Sequence, residues 1–69
     1  MKVSVDDVKG GAGPCWLVRG TCGSREDVRL ILAGGGGVEV GVVVGVRAPT
    51  WEVEVEGRRW RVAVDWRVL

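Results

Sequence analysis

The chain has 69 residues, with ten Lys and Arg against nine Asp and Glu and no His. That length makes one domain, 1–69, which buries only roughly 60% of the surface its unfolded form exposes, so its core needs a disulfide, a metal, an oligomer interface or unusually close packing. A net charge of +1, shared evenly by the two halves, weakens the case for strong nonspecific binding to nucleic acid or anionic membranes, which needs an uncompensated positive field.

The first element is "KVSVDDV", Lys2 to Val8, where Val3 and Val5 share one face and Lys2, Ser4 and Asp6 the other, as in a half-buried strand. Asp6 and Asp7 stand where a signal peptide would carry its apolar run, and no apolar stretch approaches the roughly 18 residues of a membrane span. The expectation is a soluble, cytoplasmic protein without a membrane partner. "GGAGP" then imposes a turn, and "CWLVR", Cys15 to Arg19, reads as a second strand.

"GSREDVRLILAGGGG" supports two readings. Ser24 resembles a helix N-cap with Glu26 and Asp27 in the first turn, Val28, Ile31 and Leu32 fall at helical spacing, and Gly34 supplies a stop. The rival is a strand from Val28 to Ala33 that turns through the glycines. The agreement of caps and charges favours one short helix near 24–33.

From Val38 the alternation is strong. "VEVGVVVGVR" sets Val38, Val40, Val42, Val44 and Val46 on one face. With Ala48 and Pro49 in a turn, Val46 faces Trp51, Val44 faces Val53 and Val42 faces Val55; with Gly57 and Arg58 central to the next turn, Val55 faces Trp60 and Trp51 faces Val64. Trp51 and Trp60 then belong to an apolar core, while Glu56 meets Arg59 and Glu54 meets Arg61 on the solvent side. In that register "WRVL", Trp66 to Leu69, overhangs the meander and needs a partner: the N-terminal strand or the same edge of a second chain. Gly41 and Gly45 flank Val43 on a side-chain-free strip that a ring such as Trp16 can cover.

Chemistry-bearing motifs are few. Two Cys and no His cannot supply four zinc ligands, so no metal is expected; Cys15 and Cys22 leave either a disulfide or two free thiols. The absence of Asn and Gln beside eight Arg fits either a hot environment or a GC-rich genome. "KGGAGP" lacks the Gly-Lys-Ser/Thr ending of a phosphate loop. Asp6 and Asp7, adjacent on a strand, point to opposite faces and cannot act as an acid and base pair. Without His, and with Ser4 and Ser24 lacking a base, no enzyme, cofactor or small-molecule substrate is indicated.

The sequence therefore points to a β-rich domain: about five strands in a twisted antiparallel sheet or small partly open barrel, with a C-terminal three-stranded meander. Its expected role is a non-catalytic interaction module, a homo-oligomer or small subunit of a larger assembly, meeting its partner through Trp66, Val68 and Leu69. The alternative is a small β-barrel that binds nucleic acid with Arg47, Arg58, Arg59 and Arg61 of an arginine-bearing hairpin.

Overall fold

A computed structural model describes residues 1–10, 15–23 and 26–69. They form β1 (Lys2–Gly10), β2 (Cys15–Cys22), β3 (Glu26–Ala33), β4 (Val43–Val55) and β5 (Arg58–Val68). The order β1-β2-β3-β5-β4 closes on itself, because β4 also pairs with β1 through Lys2↔Gly45, Val3↔Val44 and Ser4↔Val43. Three consecutive strands with the fourth returning beside the first make a Greek key, and β5 fills the gap between β3 and β4. The protein is all-β. Its one sheet is mixed rather than antiparallel, since β5 runs parallel to β3 from Leu30↔Arg61 to Leu32↔Ala63.

No helix occurs over the described part of 24–33. β3 is bonded to β2 along its whole length, from Cys15↔Ala33 to Cys22↔Glu26, and Leu30 and Leu32 are fully buried while Glu26 and Asp27 are exposed. A two-residue period with partners on both sides outweighs the local helix signals, whose contribution is a few tenths of a kcal/mol to ~1 each. The N-cap at Ser24 and the turn at 11–14 lie outside the described residues.

The core consists of Val3, Val5, Val18, Leu30, Leu32, Val38, Val44, Val46 and Ala63. Packing between β1 and β2 is tight enough to require Gly20: a Cβ there would overlap the Ser4 carbonyl oxygen and stand 2.6 Å from Val3 Cγ1. Just beyond, the register of β1 on β2 shifts at Asp6. This bulge alters the sequence expectation, because Asp6 and Asp7 now both look outward: Asp6 Oδ2 accepts from Thr21 Oγ1 at 2.8 Å, and Asp7 lies opposite Arg19.

β4 departs most from the expected meander. Ala48 and Pro49, joined by a cis peptide, do not reverse the chain; they form a bulge within one continuous strand, between Arg47↔Asp65 and Thr50↔Ala63. A strand that continues keeps alternating, so Val44 and Val46 are buried while Trp51, Val53 and Val55 take the other side. Trp51 is 47% exposed and is not core. The continuation also gives "WRVL" its partner, since Trp66, Arg67 and Val68 pair with Val46, Gly45 and Val44, and Leu69 N–H donates to Val43 O at 2.8 Å. The overhang that argued for a second chain is absent. Upstream, Val40 is exposed in a turn with Gly41, whose φ is +97°, so the predicted strand over Val38–Arg47 starts only at Val43.

Within the glycine run 34–37, Gly35 packs on Trp66. The Trp66 indole donates to Ala33 O at 3.0 Å and Trp16 to Gly35 O at 3.4 Å, and a Cβ on Gly35 would meet the Trp66 ring at 2.9 Å. Leu69, not Trp16, covers Gly45. Cys15 and Cys22 are free, because they occupy opposite ends of an eight-residue strand roughly 20 Å apart, far beyond the ~4.4–6.8 Å between Cα atoms that a disulfide spans. Among the described residues no helix is long and apolar enough to cross a membrane.

The close approach at Gly20 is directly testable. Gly20→Ala is expected to destabilise by about 2 kcal/mol or more in urea unfolding, through overpacking against backbone. Gly10→Ala, where nothing lies within 4 Å of the added Cβ, is expected to be neutral. Equal midpoints for the two variants would contradict the tight β1–β2 contact.

Candidate nucleic-acid interface

Strand pairing places side chains in rows on the outside of the sheet. One row runs Asp7, Arg19, Arg29 across β1, β2 and β3; the next runs Lys9, Leu17, Ile31. Arg19 and Arg29 are direct cross-strand partners. Like charges in that position destabilise a sheet by roughly 0.2–1 kcal/mol, offset in part here by Asp7 on the far side of Arg19. A fold tolerates such a pair most readily where the charges serve something else.

The β4–β5 hairpin completes a groove beside these rows. Its turn is Glu56-Gly57, with φ of +51° and +77°, the two positive values of a type I′ turn. The turn thus sits one residue earlier than the Gly57-Arg58 expected, and pairing shifts to Val55↔Arg58, Glu54↔Arg59, Val53↔Trp60 and Glu52↔Arg61. Residues directly opposite share a side, and Ala63 is fully buried; alternation along β5 therefore turns Arg61 and Arg59 with Glu52 and Glu54 to the Ala63 side, and Trp60, Val62 and Arg58 outward.

The resulting open groove of about 380 Å³ is lined by Lys9, Leu17, Arg19, Arg29, Arg58 and Trp60, with Asp7, Val55 and Glu56. Four cations and two carboxylates concentrate positive charge here on a chain that is nearly neutral as a whole. Trp60, expected inside, is half-buried with its ring on this lining. A cationic groove beside an aromatic ring is the chemistry that holds a phosphate backbone and stacks a base.

Of the four arginines expected to act together, only Arg58 lines the groove. Arg59 and Arg61 line a neighbouring depression with Met1, Cys22, Glu26, Asp27 and Glu52, which shares Arg29 with the groove, and Arg61 Nη1 donates to Thr50 Oγ1 at 3.1 Å. Arg47 lies opposite Asp65, near Lys2 and Leu69. Lys9, Arg19 and Arg29 were missed. The signal was available in "RGTCGSREDVR", whose two ends pair to set Arg19 against Arg29, but the helix reading of 24–33 hid it. As for Trp66, Val68 and Leu69, Trp66 is half-buried against the core, whereas Val68 and Leu69 are 37% and 55% exposed.

Among the described residues no group of His, Cys, Asp and Glu is arranged to hold a metal ion. Compared with known protein families, curated proteins and solved structures, the chain matches none.

Glu56 ties groove and turn together, since it adopts a left-handed conformation that Asn tolerates better and contributes a carboxylate to a cationic lining. Glu56→Asn is expected to stabilise by up to about 1 kcal/mol, read as a rise of about 4–8 °C in Tm. An unchanged or lower Tm would contradict the I′ turn.

Proposed function

We propose that the protein is a non-catalytic binder of single-stranded nucleic acid, with Lys9, Arg19, Arg29 and Arg58 taking the phosphates and Trp60 stacking on a base. The observation that carries this reading is the Arg19–Arg29 cross-strand pair on the same lining as Trp60. Two facts raise it above the interaction module expected from the sequence. "WRVL" is paired within the chain, and Trp60 is on the outer lining rather than in the core.

Architecture supplies a further support, by analogy. Five-stranded Greek-key barrels of the oligonucleotide/oligosaccharide-binding type present the face of their second and third strands, with the β1–β2 and β4–β5 loops, to their ligands. The groove here lies on β2 and β3 beside the β4–β5 turn. Such an analogy favours the class of ligand without assigning one, which is why the residues carry the argument. With only four cations in the groove, binding is expected to be modest and to weaken as salt rises.

Fluorescence anisotropy with a labelled single-stranded oligonucleotide, repeated over a salt series, tests the proposal. Arg19→Ala and Arg29→Ala are each expected to weaken binding and to lower the slope of log K against log salt by about 0.7. Arg47→Ala is expected to change neither. Trp60→Leu, which keeps apolar bulk but removes the ring face, is expected to lose about 1–3 kcal/mol. Binding that is absent, or insensitive both to salt and to Arg19 and Arg29, would refute it.

A further inference from the structure

The ring closes over only part of β4. β1 pairs with Val43, Val44 and Gly45, and Met1 exchanges backbone bonds with Val46 at 2.7 and 2.9 Å. Past the bulge, Thr50 to Val55 is bonded to β5 on one side, and among the described residues no strand pairs with its other edge. In a two-residue hairpin the pair closing the turn exchanges both bonds and the ladder then alternates. Val55, Val53 and Trp51 are therefore bonded to β5, while the N–H and C=O groups of Glu54, Glu52 and Thr50 point to the open edge.

This edge presents a specific pattern. Glu52 and Glu54 are exposed on one side of it; Trp51 and Val55, 47% and 38% exposed, stand with half-buried Val53 on the other. We infer that Thr50–Val55 is a strand-addition site for an extended protein segment that alternates basic and apolar residues. Main-chain bonds to Thr50, Glu52 and Glu54 would hold the added strand. Its basic side chains would lie beside Glu52 and Glu54, and its apolar ones beside Trp51, Val53 and Val55, which is how strand addition combines affinity with selectivity.

A second copy of the chain does not fit the edge. Antiparallel pairing of β4 with its own two-fold image always sets even-numbered residues against even-numbered ones. The registers centred on Thr50–Val55 set Glu52 against Glu52 or Glu54, and carboxylates placed directly opposite one another repel. Acidic residues on an open edge guard it against self-association while leaving it available to a strand of opposite charge. The site is independent of the groove, whose lining shares with this segment only Val55.

The test uses the full chain and a short synthetic peptide alternating Lys and Val, with its Glu and Val counterpart as comparator. Backbone amide exchange followed by NMR is expected to show protection of Thr50, Glu52 and Glu54 by the Lys peptide and none by the Glu peptide. Glu54→Pro removes an edge N–H without touching the β5 ladder, a place where edge strands accept Pro. It is expected to weaken peptide binding roughly tenfold, and Glu54→Lys by a similar factor through charge alone. Equal binding of the two peptides, or peptide binding without protection of those three amides, would overturn the inference. So would concentration-dependent protection of the same amides with no peptide present, because a second copy would then be the occupant.

Discussion

β5 is held on both sides, antiparallel to β4 along its length and parallel to β3 over Leu30, Ile31 and Leu32. Among the described residues, those three parallel pairs and the short seam of β1 on β4 are the strand pairings that join the β1–β2–β3 meander to the β4–β5 hairpin. A chain of 69 residues has little apolar surface to bury, and its fully buried residues come from both halves: Val3, Val18, Leu30 and Leu32 from one, Val44 and Ala63 from the other. The core exists only while both seams hold. Ala63, fully buried and paired with Leu32, is a small side chain at one of these seams, where a larger one would have to displace packed neighbours.

The second determinant is that β4 does not stop at Ala48–Pro49. Had the chain turned there, Trp51, Val53 and Val55 would have folded back over the valines as core. Because it runs on, the same residues lie outside, and the half of the hairpin beyond the bulge carries a cationic, aromatic groove on one flank and an open backbone edge on the other. The separation also spares the two surfaces from competing. Arg58 and Trp60 belong to β5 and face β2 and β3, whereas Thr50, Glu52 and Glu54 turn their main chain the opposite way.

Much of this was legible in the sequence at the level of elements. The buried valines 44 and 46, the two-residue turn near Gly57 and the strands β1 and β2 follow from periodicity and glycine placement. What misled was local chemistry that tertiary pairing overruled. Ser24, Glu26 and Asp27 compose a good helix start, yet Leu30 and Leu32 gain more as inward residues of a strand bonded on both sides. Ala-Pro looks like a turn, and nothing nearby reveals that Asp65 and Ala63 wait on the far side to pair across a bulge. Trp51 and Trp60 were misassigned for that reason, and with them the side of the hairpin available to a ligand. The groove could not be read from the sequence because its residues come from three strand pairings, Asp7 with Arg19, Arg19 with Arg29, and Val53 with Trp60, each set by register rather than by composition.

The order of the strands also governs how the molecule assembles in time. β1 to β3 and β4 to β5 are each local, joined by short connections, but the two seams bring Val3 to Val44 and Leu32 to Ala63, residues far apart along the chain. Loop-closure entropy is lost before those contacts return anything, which places such a topology among the slower-folding β proteins, on the millisecond-to-second scale. Until both seams form, each half exposes strand edges and its share of the valines. The acidic residues on β4 then have a second use, since they keep the hairpin from pairing with its own kind during the interval when it has nothing else to pair with.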